Sequence, residues 1–432
     1  MQAKPFCGLD FGTSNSTLAL PAETGMALAP VEGASPTLPS AVFFDFGDGG
    51  APVFGRAAIK AYVEGHDGRL MRSLKSILGT ALMDETTRIK AKAYAFKDII
   101  GLILGRLKEK ADRTAGAPVT RVVLGRPVHF IDDNPDADRR AQDALEAAAR
   151  AQGFEEIAFQ FEPIAAALAY EDTVREEQYA LIADIGGGTS DFSVVRVSPE
   201  GRLRADRARD VLANKGVHIG GADIDRLFSM KSVMPYLGLG SEMRLPFGDK
   251  VLPVANGLFV DLATWHRINL LYTDKVAREL KDMARHSLSP EKIDRLSEVI
   301  ESRRGHSIAL AVEAAKIALS GVPRSLIDLD EVEPGLSVET DAGLLEQAIA
   351  DQLRTLTRRL TETVADSGLA PERIDAVFLT GGSTAIPAVR AALTALTPQA
   401  RIVEGDKFGA VGLGLGLDAA RKFGAGALRK SA

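Results

Sequence analysis

Two stretches of the sequence carry aspartate, glycine and hydroxyl side chains in the same order, each between two apolar runs. In residues 6–20 the polar members are Asp10, Gly12, Thr13 and Ser14. In residues 179–197 they are Asp184, Gly186, Gly187, Gly188, Thr189, Ser190 and Asp191. Glycine allows positive φ and lets a ligand approach the backbone closely. Both stretches are therefore predicted to be a strand, an open polar turn and a second strand.

Such a pair of turns could bind phosphate, because successive backbone N–H groups in glycine-rich turns form an anion-binding concavity. The carboxylates of Asp10 and Asp184 would repel phosphate unless a cation lay between them. Mg²⁺ prefers oxygen ligands and keeps several waters, so the two aspartates are predicted to organise Mg²⁺. One such turn alone is more often a plain hairpin, and the prediction depends on the second copy.

A third polar turn follows a later apolar run. Residues 377–380, VFLT, read as a strand, and Gly381, Gly382 and Ser383 follow it directly. A helix is predicted to begin near Ser383 or Thr384, with Pro387 in its first turn. A glycine turn at a helix N-terminus suits an anion or the polar edge of a ligand.

The repeated order predicts two related α/β lobes, because 432 residues exceed one ordinary core. The predicted lobes are residues 1–172 and 178–432, with inserted regions at about 39–114 and 227–321. The second insertion is predicted to be a solvated helical hairpin, since its charges alternate. A glycine-rich C-terminal helix is predicted at about 408–423. The GLGLG within it lies after the last strand, which disfavours a dinucleotide-binding interpretation.

The composition excludes several classes of function. The net charge of −6 argues against nucleic-acid binding, which needs a basic surface. Cys7 is the single cysteine, so no internal disulfide can form, and it is predicted to be a small core residue. We find no apolar run long enough for a membrane span and no signal-peptide core, so no membrane association and a cytoplasmic location are expected. The histidines show no metal-ligand spacing.

Beyond these patterns, the chain resembles the actin-like ATPase superfamily, and within it the DnaK-type heat-shock chaperones. The similar segments are GLDFGTSNS (8–16), SLKSILG (73–79), FEPIAAALAYE (161–171), ADIGGGTSDFSV (183–194), GVHIGGADIDRLF (216–228) and FLTGGSTAIPAV (378–389). Residues 229–312 match those chaperones poorly. In this respect the chain resembles the YegD-like branch of the family. The resemblance implies a two-lobed actin-like ATPase fold, with duplicated ribonuclease H-like lobes that each carry an inserted subdomain.

The resemblance also implies roles for individual residues. Asp10 and Asp184 would organise Mg²⁺, and Lys75 would meet the γ-phosphate or the attacking water. Glu162, Asp191 and Thr189 would orient the metal's waters or act on the nucleophile. The phosphate contacts would come from Gly12, Thr13, Ser14, Gly186, Gly187, Gly188 and Thr189. The cleft wall and the ribose and adenine contacts would come from Gly220, Gly221, Glu313, Lys316, Ser320, Gly381, Gly382 and Ser383. Taken alone, Lys75 would more often be a solvated surface lysine.

The sequence departs from those chaperones in two places. Two arginines that sandwich the adenine are replaced by Ile317 and Ala385, which predicts a weaker or less base-selective nucleotide site. The chain ends at Ala432 with no segment similar to the family's linker, peptide-binding domain and lid, so a form without the substrate-binding domain is expected.

These observations predict a chaperone-like nucleotide switch. It would bind ATP and ADP together with Mg²⁺ and hydrolyse ATP slowly. Protein clients or co-chaperones would be its partners. A small-molecule kinase of the same superfamily would need an acceptor pocket, and none is evident in the sequence. A non-catalytic nucleotide-binding or filament-forming protein stays open because both adenine arginines are replaced.

Overall fold

The computed structural model describes residues 4–131, 134–171, 173–201, 204, 206–244, 250–403 and 409–424. They form two compact units. The first unit comprises Met1–His218, Arg358–Thr384 and Leu393–Ala432, and the second comprises Ile219–Thr357 and Ala385–Ala392. The lobe bounds proposed from the sequence stay a prediction. In the described part of the chain, no helix combines the length and apolarity needed to cross a membrane.

The strands and helices follow the alternation of a mixed α/β chain. The strands are β1 Phe6–Phe11, β2 Asn15–Ala22, β3 Gly25–Leu28, β4 Thr37–Pro39, β5 Ala41–Asp45, β6 Pro52–Phe54, β7 Gly68–Arg72, β8 Thr86–Ile89, β9 Lys92–Ala95, β10 Arg121–Arg126, β11 Glu156–Phe161, β12 Gln178–Ile185, β13 Ser190–Val197, β14 Val211–Val217, β15 Glu242–Arg244, β16 Val251–Pro253, β17 Arg324–Asp328, β18 Ser337–Asp341, β19 Ala376–Thr380 and β20 Arg401–Val403. The helices are α1 Gly55–Val63, α2 Phe96–Ala115, α3 Pro135–Ala151, α4 Glu162–Glu171, α5 Gly221–Ser232, α6 Gly257–Ala263, α7 Asp274–His286, α8 Pro290–Glu301, α9 Gly305–Ala318, α10 Ala342–Ala348, α11 Ala350–Asp366, α12 Pro387–Ala395 and α13 Ala410–Phe423.

The first unit contains two sheets with the same plan. One has the order β11-β10-β1-β2-β3, with β4 also paired to β2, and the other has the order β14-β13-β12-β19-β20. In each sheet the first two strands along the chain form an antiparallel hairpin, and the last two strands along the chain run parallel to the first. The central strands β1 and β12 are buried for most of their length, as parallel-paired strands covered on both faces are. The duplication inferred from the two turns is confirmed.

Local sequence signals explain some of the element boundaries. Helix α3 begins after Asn134, whose side chain accepts from the Ala137 N–H at 3.0 Å, with Pro135 as its first residue. The predicted helical hairpin of the second insertion is present as α7 and α8. The helix of the third motif begins at Pro387 rather than near Ser383, because one 3₁₀ turn over Gly382–Ala385 precedes it. That correction moves Ser383 and Thr384 from the helix into the preceding turn.

Helix α13 packs directly against β1 and α4, and its glycines permit the close approach. A Cβ atom placed on Gly414 would lie 1.9 Å from the carbonyl oxygen of Ala165 in α4. A Cβ placed on Gly8 of β1 would lie 2.1 Å from the backbone nitrogen of Gly416. The GLGLG segment is therefore a packing surface within a helix, consistent with the disfavoured dinucleotide interpretation.

The Gly414→Ala substitution is expected to lower the free energy of unfolding by about 1–3 kcal/mol, because the added methyl must displace backbone rather than a side chain. Urea unfolding of the variant and the parent measures the effect. Gly257→Ala is the control, since no atom lies within 4 Å of the added methyl at that position. A Gly414→Ala protein as stable as the control would contradict this account of the packing.

A buried ion-pair network ties the end of α4 to the segment before β14. Arg207 donates to both carboxylate oxygens of Glu171, at 2.9 and 2.7 Å, and to Asp210 at 2.5 Å. Arg196 donates to the other oxygen of Asp210 at 3.1 and 3.0 Å. The side chains of Arg207, Glu171 and Asp210 are almost completely buried. The free-energy cost of burying each of these charges is therefore offset by the oppositely charged side chains that pair with it.

Candidate functional site

The two glycine turns of the first unit face each other and touch. A Cβ atom placed on Gly187, in the β12–β13 turn, would lie 1.9 Å from Oγ of Ser14, in the β1–β2 turn. With Ser14 in this position, only glycine fits at position 187. The two glycine turns therefore meet at Gly187 and Ser14.

Each turn is held in shape by hydrogen bonds. In the second turn, the Gly186 N–H donates to the Thr189 carbonyl oxygen at 2.9 Å. In the first turn, Ser40 Oγ donates to the Gly12 carbonyl oxygen at 2.6 Å, and the Ser40 N–H donates to the Ser14 carbonyl oxygen at 2.8 Å. Ser40 is buried, and sequence reasoning missed it, because a serine remote in sequence gives no signal that it braces a turn.

Beside these turns lies a cluster of three carboxylates and one lysine, which we call the carboxylate cluster: Asp10, Glu162, Asp184 and Lys75. Lys75 lies in a 3₁₀ turn over Leu74–Ile77 and is only 8% exposed. Its ammonium donates to Oε1 of Glu162, the first residue of α4. Asp10 and Asp184 lie near the ends of β1 and β12 and are half-buried. Lys75 is therefore a buried cation paired with a carboxylate, not a surface lysine.

The cluster has more negative than positive charge, and the pKa values follow from this. The pKa of Asp10 is raised to about 7, chiefly by burial; the charge of Lys75 opposes the shift, and the charges of Glu162 and Asp184 add to it. The pKa of Asp184 is likewise raised, to about 6, by burial and by the charge of Glu162, while the Thr380 hydroxyl and the charge of Lys75 act in the opposite direction. Burial alone would lower the pKa of Lys75, but Glu162 and Asp10 outweigh it, and the net direction is upward. Lys75 therefore stays protonated at neutral pH.

Replacing Asp10 by asparagine is expected to stabilise the metal-free protein at alkaline pH. The ordinary pKa of this aspartate is 3.8, and its pKa in the fold is about 7. Between these values the folded protein keeps a proton that the unfolded chain has lost, so its free energy of unfolding falls as the pH rises. Asp10→Asn removes that contribution and should gain roughly 1–4 kcal/mol at pH 8, and little at pH 4.

Urea unfolding at both pH values, with metal chelated, measures the difference between variant and parent. Asp351→Asn is the control, because Asp351 is an exposed residue of α11. An Asp10→Asn protein less stable than the parent at pH 8 would show that the carboxylate is net stabilising, contrary to this account of the cluster.

The remaining predicted residues of the first unit lie near the same place. Asp191 is directly opposite Asp184 in the β12–β13 ladder. Gly381 has φ +79°, and a Cβ there would lie 2.2 Å from the Ile185 carbonyl oxygen and 2.9 Å from Oδ1 of Asp184. The third motif therefore begins in contact with the end of β12, and the buried Ser383 follows in the 3₁₀ turn. The structure brings the third motif and the second glycine turn together.

The other predicted residues belong to the second unit. Gly220 and Gly221 begin α5, and the Gly220 N–H donates to Oδ2 of Asp223 at 3.1 Å. Glu313 and Lys316 lie on α9, and Ser320 follows that helix. Lys316 is buried and lies 2.8 Å from Oδ1 of Asp225 in α5. A shared ligand between these residues and the first unit stays a prediction.

Ile317, which stands in the place of an adenine-stacking arginine, is 62% exposed. An exposed aliphatic side chain can pack on a base but carries no charge for a cation–π contact. The other replaced position, Ala385, is the last residue of the 3₁₀ turn over Gly382–Ala385. Neither position supplies the guanidinium that the resemblance leads one to expect.

Comparisons with known proteins agree with this geometry. The model of the family described as Hsp70 protein matches residues 6–233 and 276–424. The chain is 29% identical over 413 residues to the chaperone protein dnaK3 of Thermosynechococcus vestitus, covering 89% of this chain and 50% of the relative. It is 25% identical over 392 residues to the chaperone protein DnaK of Thermosipho melanesiensis, covering 89% and 53%. The chain thus spans about half the length of these relatives. With the duplicated sheets and matching motifs, the family match shows that this chain belongs to the Hsp70 family and has its actin-like ATPase fold.

Proposed function

We propose that this protein binds ATP and ADP with Mg²⁺ and hydrolyses ATP slowly, and that a protein partner reads the bound nucleotide. The observation that carries the proposal is the carboxylate cluster beside two touching glycine turns. Phosphoryl transfer depends mainly on positioning and charge neutralisation, and these groups can supply both. The relatives named above are chaperones, so a chaperone-like nucleotide switch is the form of activity that we propose.

The residues present fit a magnesium ion. Asp10 and Asp184 have raised pKa values because negative charge is crowded and partly desolvated there, and a divalent cation would relieve both effects. Among the described residues, no three side chains of the usual ligand types are grouped to coordinate a metal directly. Asp10 and Asp184 would therefore hold Mg²⁺ mostly through its waters, as this ion prefers. The ion would supply charge neutralisation for the phosphates.

The chain's own groups would do the rest. The N–H groups of both glycine turns would hold phosphate oxygens, with Thr13, Ser14 and Thr189 adding hydroxyls. Lys75 would turn its protonated ammonium toward the γ-phosphate, and that contact would compete with Glu162 for the lysine. Glu162 and Asp191 would orient the attacking water and accept its proton. Such competition couples nucleotide arrival to the first turn of α4.

Base recognition would be weak. Glu313, Lys316 and Ser320 would contact the ribose and base, together with Gly381, Gly382 and Ser383. Without the arginines at 317 and 385, each lost stacking contact removes about 0.5–2 kcal/mol. We therefore expect ATP and GTP to bind with similar affinities, which calorimetric titration of both nucleotides with Mg²⁺ would measure.

The function is tested by incubating the purified chain with Mg²⁺ and ATP. Phosphate release without any added acceptor supports the proposal. Release that requires a sugar or another acceptor would instead indicate a small-molecule kinase. Binding without turnover, or polymers that pellet with nucleotide, would indicate the non-catalytic or filament-forming alternative, which rests on the replacement of both adenine-stacking arginines.

A further inference from the structure

A small cavity of about 20 Å³ lies in the first unit, between the first turn of α4 and the face of the sheet that contains β12. Its polar lining residues are Glu162, Asp184, Asp191, Ser193, Asn214 and Thr380, and the rest of its wall is mostly aliphatic. Roughly 10–15 Å³ of such space holds one water molecule when two to four polar groups surround it. The cavity therefore has the size and lining of a site for a single buried water.

Thr380 provides an independent reason to place a water there. Its side chain is 6% exposed, and its buried Oγ1 lies close enough to the Asp184 carboxylate to lower the pKa of that group, but it forms no hydrogen bond of good geometry in the described structure. Leaving a buried hydroxyl unpaired costs about 1–3 kcal/mol. Thr380 lies opposite Asp184 in the parallel pairing of β19 with β12, so both side chains line the cavity from neighbouring strands. A water in the cavity beside these two side chains would complete the hydrogen bonding of the Thr380 hydroxyl.

A second wall of the cavity is already ordered by a hydrogen bond. Ser193 Oγ donates to Oδ1 of Asn214 at 2.7 Å, which leaves the Asn214 amide N–H groups as donors. The cavity lining thus supplies an amide and a hydroxyl as hydrogen-bond donors and carboxylates as acceptors. One water can accept from the first set and donate to the second, which is the arrangement that a buried water needs.

We propose that this cavity binds one ordered water, anchored by the Thr380 hydroxyl, which donates a hydrogen bond to Asp184 and fixes its carboxylate. Thr380 is thereby a positioning residue for the predicted magnesium site. The presence of the water does not depend on the proposed function, whereas its effect on metal binding does. Valine at position 380 keeps the shape of the side chain and removes only the hydroxyl.

The first experiment is a high-resolution crystal structure of the metal-free parent and of the Thr380→Val and Thr380→Ser proteins. The expected result is an ordered water in the parent and in Thr380→Ser, and its loss or disorder in Thr380→Val. A dry cavity in the parent would overturn the proposal. An unchanged water in Thr380→Val would overturn the anchoring role of Thr380.

The second experiment measures Mn²⁺ binding in the presence of ADP by electron paramagnetic resonance, with Mn²⁺ as the probe for a hard, oxygen-preferring ion. Thr380→Val should weaken Mn²⁺ binding about five- to tenfold, the effect of one hydrogen bond, and Thr380→Ser should restore it to within about twofold. Thr397→Val is the matched control, because Thr397 is also buried with an unpartnered Oγ1 but does not line the cavity.

Equal Mn²⁺ affinity in Thr380→Val and the parent would overturn the positioning role, and so would an equal loss in Thr397→Val. If the parent itself bound no Mn²⁺ with ADP, the proposed function would fail. The crystal structures would still decide whether the cavity holds its water, so the two failures can be distinguished.

Discussion

Lys75→Met is expected to lower the rate of ATP hydrolysis by about 10²–10³-fold, the loss that follows removal of one preorganised electrostatic contact. Lys75 is the cation of the carboxylate cluster, and the pKa shift keeps it protonated. Methionine keeps much of the buried side-chain volume but cannot neutralise charge that develops on the γ-phosphate. The measurement is single-turnover hydrolysis, which separates the chemical step from nucleotide binding.

Lys108→Met is the matched control for this prediction. Lys108 is another buried lysine, 7% exposed, and it pairs with Asp112 at 2.8 and 2.7 Å within α2. Its loss should reduce stability while leaving the hydrolysis rate of folded protein within about twofold, because it is not part of the carboxylate cluster. If Lys75→Met hydrolysed ATP as fast as the control, Lys75 would have no role in the reaction.

Arg207→Met is expected to lower the free energy of unfolding by about 3–5 kcal/mol. The substitution leaves Glu171 and Asp210 almost completely buried, Glu171 having lost both of its bonds to the guanidinium. The penalty arises mainly from the charge of Glu171, whose remaining ion pair is a 3.9 Å contact with Arg421, because Asp210 keeps its hydrogen bonds from Arg196 and methionine is of similar length to arginine. Urea unfolding, followed with a probe in the first unit, measures the change.

Two further variants test that cause. Arg354→Met removes an exposed arginine that pairs with Asp351 on α11, and its effect should stay within about 0.5 kcal/mol. Replacing Arg207, Glu171 and Asp210 together by Met, Leu and Leu should recover much of the lost stability, because the three most deeply buried charges are removed together, while Arg196 and Arg204, which lose Asp210, reach solvent. A triple variant less stable than Arg207→Met would show that the ion pairs themselves stabilise the fold.

Local patterns were sufficient for the repeated hairpins. The predicted strands of both motifs are present as β1 with β2 and as β12 with β13. They could be predicted because glycine and hydroxyl residues between two apolar runs favour a turn between paired strands. Cys7 is buried in the first strand as expected. The start of α12 was misplaced by a few residues, since a 3₁₀ turn and an α-helix share the same local signals.

Contacts between residues far apart in the sequence could not be predicted from those local patterns. Lys75 and Glu162 are separated by 87 residues, and taken alone the lysine read more naturally as a surface residue. Ser40, which braces the first turn, and Thr380, which faces the cavity, carry no local signal at all. Their roles depend on which atoms the packed sheets bring within hydrogen-bond distance.

By itself, the sequence determined the strands, the turns between them and the kinds of ligand those turns suit, because backbone preferences act over a few neighbouring residues. The tertiary structure alone decided that Gly187 meets Ser14 and that Lys75 is buried beside Glu162. It also decided that Asp10 carries a raised pKa. The physical reason is that desolvation and Coulomb interactions depend on distances between residues far apart along the chain, and only packing sets those distances.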